Sequence, residues 1–176
     1  EWDEECDRFG AMAIGVRPIL IAYNVNLQEH EPLFSTIISK TLRTSGFLIK
    51  SESGQRMRIG GMLNSVQGMG VKLESHGISQ VSMNLSNPDQ TDIHVAYEAV
   101  RAVAQPMGVG VVGSEIVGLV PLQSMLKAGR WYNGKDASDE YLVEQAILGL
   151  GLNTLEKFDP ETRIIEWALK DIRAGE

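Results

Sequence analysis

Three histidines, one cysteine and a set of carboxamides are the side chains of this 176-residue chain that bear most directly on chemistry. His30, His76 and His94 are far apart, and no two have the spacing of metal ligands. They fall at a helix start, in a turn and at a second helix start, where a structural or solvated role outweighs catalysis. Cys6 has no neighbour that marks it as an activated nucleophile, and a lone cysteine excludes an internal disulfide or a Cys-rich metal site. The carboxamides are different. In ILIAYNVNL, residues 19–27, Asn24 and Asn26 are two apart, which on a strand sends both to one face. In ISQVSMNLS, residues 78–86, Gln80, Ser82 and Asn84 alternate with Val81, Met83 and Leu85. An amide both donates and accepts, which matches the edges of flat heterocycles and other amides.

Two further strands extend this pattern. VQGMGVKLE, 66–74, places Gly68 and Gly70 on one side. VGVVGSEIVGLV, 109–120, sets Gly113 and Glu115 against Val112, Ser114 and Ile116. A merely solvated sheet face usually carries Lys, Glu, Thr and Arg. Asn, Ser and Gly make poor strands and suit close approach by a ligand or another backbone. A binding or interface face is therefore favoured over plain solvation. SESGQRMRIGG, 51–61, is polar, glycine-rich and basic, and is expected to be a mobile loop. Arg56 and Arg58 on it suit bidentate capture of a carboxylate. RIGG at 58–61 and GLGL at 149–152 lack the spacing and setting of phosphate loops. Trp2, Trp131 and Trp167 are scattered, as packing residues are, and DASDE at 136–140 fits the solvated first turn of a helix.

These residues need elements to hold them. Strand one spans 18–27. In EHEPLFSTIISKTLRTSG, Leu33, Ile37, Ile38 and Leu42 recur at helical spacing, with Pro32 near the first turn and Gly46 as the closing cap. Ser75, His76 and Gly77 make a tight turn between strands 66–74 and 78–86, which predicts a hairpin. A second helix over 91–105 follows, with Thr91 as its cap, then strand 109–120. The order β-α-β-β-α-β is the split βαβ, ferredoxin-like arrangement, an α+β fold. It predicts a four-stranded antiparallel sheet with both helices on one face. Appended helices follow: one from Pro121, one capped by Ser138, and one with Asp159 as cap and Pro160 first. Residues 1–14 are expected to be a linker and 15–176 one domain.

The bulk numbers narrow the classes. Hydrophobic content of 43% and charged content of 22% are ordinary for a globular protein with one core. A formal net charge of −7 argues against a nucleic-acid binder. No apolar run reaches the roughly 18 residues of a membrane span, and EWDEECDRFG has no signal-peptide core. We expect a cytoplasmic, metal-free protein.

Five segments taken together carry a resemblance: GVRPILIAYNVNL (15–27), VQGMGVKLES (66–75), ISQVSMNLSNPDQTDIHVAYEAV (78–100), VVGSEIVGLVPLQSMLKAG (111–129) and LGLNTLEKFDPETRIIEWAL (150–169). In order and spacing they resemble the glutamate formimidoyltransferase family, in the C-terminal subdomain of its formiminotransferase domain. The resemblance implies transfer of the formimino group of N-formimino-L-glutamate to tetrahydrofolate, in histidine breakdown, with folate held between two subdomains whose sheets face each other. It puts the catalytic histidine on an N-terminal subdomain, so none of His30, His76 or His94 takes that role. On this reading Asn24, Asn26, Ser82, Asn84 and Glu115 meet the ligand. Gly68, Gly70 and Gly113 let a flat ring approach, and Arg56 or Arg58 meets a glutamate carboxylate. The partners implied are the N-terminal subdomain and further copies of the chain in a homo-oligomer. The alternative is a non-enzymatic folate-binding or assembly module that docks a partner through the Asn-rich face.

Overall fold

The computed structural model describes residues 8, 10, 12, 14–16 and 18–174. Cys6, Trp2 and most of the expected linker lie outside the described residues. Among the described residues there are six strands: β1 (Ile21–Leu27), β2 (Phe47–Lys50), β3 (Arg56–Ile59), β4 (Val66–Leu73), β5 (Ile78–Leu85) and β6 (Val111–Val117). The helices are α1 (Leu33–Leu42), α2 (Ile93–Ala104), α3 (Leu122–Asn133), α4 (Asp139–Leu150), α5 (Pro160–Arg163) and α6 (Ile165–Ala174). β4, β5, β1 and β6 lie side by side in that order, all antiparallel. Leaving out the small β2–β3 insertion, this is the ferredoxin-like arrangement the element order predicts.

One sheet face is apolar because alternation makes it so. Ile21, Tyr23, Val25 and Leu27 of β1 are fully buried, with Val81, Met83 and Leu85 beside them. α1 packs on β4 and β5, and α2 on β1. Ile38 and Leu42 of α1 and Ile93, Ala96, Val100 and Ala104 of α2 join that core. α3 packs against α2, and α4 against α3. Gly129 of α3 admits α4 at contact distance: a Cβ there would meet Leu142 Cα at 2.8 Å.

Several local expectations are corrected. Helix α1 ends at Leu42 with Arg43 as its cap. Gly46, three residues on, instead takes φ +57° in the turn into β2. The start of α1 is held by Glu29, whose carboxylate accepts from the amides of Phe34 at 2.8 Å and Ser35 at 3.3 Å and from Ser79 Oγ at 2.8 Å. Helix α2 is capped by Asp92, which accepts from Ile93 N at 2.9 Å. Thr91 points elsewhere and donates to Asn64 O at 2.8 Å. Within the expected loop 51–61, β3 pairs with β2 as a hairpin in a separate two-stranded sheet. Ser138 and Asp159 do cap α4 and α5. The last expected helix is interrupted at Ile164, which takes extended geometry and bridges Val120.

Candidate functional site

The other sheet face is polar, and register sorts its side chains into rows. Directly opposed residues in antiparallel strands share a face. The central row runs Met69, Ser82, Asn24, Glu115 across β4, β5, β1 and β6. One neighbouring row is Gln67, Asn84, Ala22, Val117; the other is Val71, Gln80, Asn26, Gly113. Asn24, Ser82 and Glu115 are half-buried and Asn84 is exposed. The stripe expected from alternation in β1 and β5 is thus one continuous patch, with Glu115 contributed by β6.

Gln80 connects the patch. Its Nε2 donates to Asn26 Oδ1 at 2.8 Å and to Glu115 Oε2 at 3.3 Å, and its Oε1 accepts from Asn24 Nδ2 at 3.4 Å. It is only 4% exposed. Asn26 is wholly buried, so it supports the patch from below and is not a surface contact. Sequence reasoning placed Gln80 on the polar side of its strand but not among the binding residues. Alternation ranks Gln80, Ser82 and Asn84 equally, and only register sets Gln80 opposite Asn26.

Three glycines are not where a ligand needs them. Gly68 and Gly70 pair with Met83 and Val81, which puts them on the helix-covered face. A Cβ on Gly70 would sit 2.7 Å from Thr36 Cα of α1, so this glycine lets the helix settle on the sheet. Gly113 is on the polar face, but a Cβ there would lie 2.7 Å from Gly151 O and from Thr154 Cβ. The chain's own 151–154 turn fills the space a ring would use. Arg56 and Arg58 sit on exposed β3 of the hairpin, not on a loop, and Arg58 Nη1 donates to Ser45 O at 2.9 Å. In this structure neither arginine joins the polar patch.

The histidines lie off the patch too. His30 is exposed beside Glu31, and His76 is in the β4–β5 turn. His94, on α2, faces the Trp131 ring with centroids 5.7 Å apart. Burial holds its pKa below the ordinary value. Trp131 is 61% exposed, whereas Trp167 is packed in the core. Among the described residues no group of three or more His, Cys, Asp or Glu is placed to hold a metal ion, and no helix is long and apolar enough to cross a membrane.

The patch is an open wall over most of its extent, with one small cavity of about 30 Å³ at Glu115 that Glu156, Lys157 and Arg163 also line. Cavities of about 530 and 520 Å³ lie elsewhere, one lined by Glu98, Arg101 and Gly110, the other by Arg43, Ser65 and Ser86. Such a wall offers hydrogen bonds and one carboxylate, and supplies no imidazole for moving a proton. It can bind and orient.

Comparison with known proteins follows the same line. The formiminotransferase domain model matches residues 22–170. The formimidoyltransferase-cyclodeaminase of Rattus norvegicus is 37% identical over 172 residues, 93% of this chain and 29% of that protein. The glutamate formimidoyltransferase of Streptococcus pyogenes serotype M1 is 30% identical over 142 residues, 80% of this chain and 43% of the relative. That of Thermoplasma acidophilum is 37% identical over 131 residues, 74% of this chain and 39% of the relative. The chain spans less than half the length of each.

Proposed function

The chain belongs to the formiminotransferase domain family, and from that premise we propose that its polar sheet face is one wall of a site for formimino transfer. The donor is N-formimino-L-glutamate and the acceptor is tetrahydrofolate, which enters as a substrate. The observation that carries this reading is the continuous patch of Asn24, Ser82, Asn84, Gln80 and Glu115 on the sheet face opposite α1 and α2, in a chain of this family. Transfer joins pterin N5 to the formimino carbon and later releases glutamate. It needs proton movement to and from the tetrahedral intermediate. It also needs the two substrates held together, an effect worth about 7–11 kcal/mol when ideal. The patch serves the second need. The first falls to a histidine on a second subdomain that faces this wall, which fits the greater length of the relatives. Arg56 and Arg58 reach a substrate carboxylate only if their hairpin moves toward that cleft. We place the protein in the cytoplasm as a homo-oligomer. The alternative of a non-enzymatic module is not favoured, because the matched relatives bear enzyme names.

A titration of the chain with 5-formyltetrahydrofolate, followed by NMR, tests the wall. Asn24→Ala and Asn84→Ala should each weaken binding about 3- to 10-fold, the range of one hydrogen bond, while both variants stay folded. Equal affinity in wild type and both variants would remove the polar face from the site.

A further inference from the structure

The hydrogen bonds around Gln80 admit one self-consistent polarity. A carboxylate only accepts. The Gln80 atom 3.3 Å from Glu115 Oε2 is therefore the amide nitrogen. That nitrogen is also 2.8 Å from Asn26, which must present its Oδ1. Gln80 Oε1 then accepts from Asn24 Nδ2 at 3.4 Å. Asn24 is thereby turned with its nitrogen toward Gln80, and its Oδ1 is the atom left for a ligand. Glu115 likewise keeps Oε1. The arrangement carries a cost: Asn26 Nδ2 is buried with no hydrogen-bond partner among the described residues. Flipping Asn26 would set its nitrogen against that of Gln80, so the carboxylate forces the orphan.

Asn24 and Glu115 are directly opposed on β1 and β6. Opposed side chains start about 4.5–5.5 Å apart at Cβ, close enough for one planar group to meet both. We propose that Asn24 Oδ1 and Glu115 Oε1 together accept the two adjacent N–H groups of a planar N–C–N unit, with Gln80 as the positioning residue that sets their direction. This inference rests on the formiminotransferase reading of the same face. Within that reading two groups have the required chemistry. One is the 2-amino and ring N–H edge of the reduced pterin. The other is the formamidine group of the formimino donor. Both are conjugated and flat, and a formamidinium also carries the positive charge that a carboxylate favours.

The test is NMR titration of the 176-residue chain, which reads millimolar binding, with 5-formyltetrahydrofolate and separately with N-formimino-L-glutamate. Glu115→Gln keeps the shape and removes the charged acceptor. It should weaken binding of the ligand seated there at least tenfold. A loss for the folate alone assigns the pterin edge, and a loss for the formimino compound alone assigns the donor; either result supports the pair. Gln80→Glu sets a second carboxylate beside Glu115. It should bind poorly at pH 8 and recover near pH 5, where one shared proton restores a donor. A purely structural role for Gln80 predicts no such recovery, and this profile decides the matter should Glu115→Gln fail to fold. Both ligands binding within twofold of wild type in both variants, at both pH values, would overturn the inference and leave the functional reading standing. Wild-type chain that binds neither ligand even with the histidine-bearing second subdomain supplied would sink that reading and the inference with it.

Discussion

At the scale of single residues, the two sides of the sheet treat polar groups oppositely. On the polar face amides pair with one another, with Asn26 and Gln80 buried and Asn24 half-buried above them. On the helix face the polar groups are few: Ser35 Oγ of α1 is buried without a hydrogen-bond partner among the described residues, whereas Tyr23 and Ser114 are bonded in series. Tyr23 Oη donates to Ser114 Oγ at 2.8 Å, and Ser114 Oγ donates to Leu150 O at 2.6 Å, which ties the end of α4 to the sheet. Burial lifts the Tyr23 pKa well above its ordinary value, and burial raises Tyr97 and Tyr132 as well. Unfolded tyrosines lose their proton near pH 10, while these native ones keep theirs. Above about pH 10 the native state thus binds more protons than the unfolded one. Their contribution is complete below about pH 10 and is lost as pH rises beyond it. The melting temperature should fall steeply from about pH 10 upward, and less steeply in Tyr23→Phe, as scanning calorimetry across pH 8–11 would measure. The same alkaline slope in the variant would exclude the Tyr23 phenol as a source. His94 works at the other end. Its pKa lies below the ordinary value, so its contribution is present above about pH 6.5 and is lost as pH falls through the folded pKa.

At the scale of elements, the glycines of β4 show how register overrides composition. Gly68 and Gly70 read as room for a ligand so long as the strand has no assigned face. Pairing with Met83 and Val81 turns both toward α1. They are not equivalent there. A Cβ on Gly68 would meet Met83 Cγ at 3.5 Å, ordinary contact, whereas one on Gly70 would run into the Thr36 backbone. Gly70→Ala should therefore cost about 1–3 kcal/mol or more through displacement of α1. Gly68→Ala should be close to neutral, and urea unfolding of the pair would show the contrast. Equal stabilities would mean that α1 yields at no cost. The β2–β3 hairpin makes a related point. Its residues read as a basic, glycine-rich loop, yet Phe47 pairs with Ile59 and Ile49 with Met57. That leaves one apolar face and one carrying Leu48, Lys50, Arg56 and Arg58, an alternation too short to stand out among the polar neighbours.

At the scale of the whole molecule, the chain is a helix-backed wall. The helix layer absorbs the apolar face, and the polar face offers hydrogen bonds without an imidazole. The purified 176-residue chain should accordingly show no formiminotransferase turnover, with activity appearing when a histidine-bearing second subdomain is supplied. Turnover by the chain alone would place the acid–base group within it. The element order, the apolar face of β1 and β5 and the caps at Ser138 and Asp159 were all legible in the sequence, because alternation and capping are local patterns. So was the stripe of Asn24, Asn26, Ser82 and Asn84. Only the tertiary structure decided how that stripe is arranged. Register brought Gln80 and Glu115 to Asn24 and Asn26, burial withdrew Asn26 from the surface, and the 151–154 turn closed over Gly113. Each of these depends on contacts between residues distant in the chain, whose pairing a local period of two cannot encode.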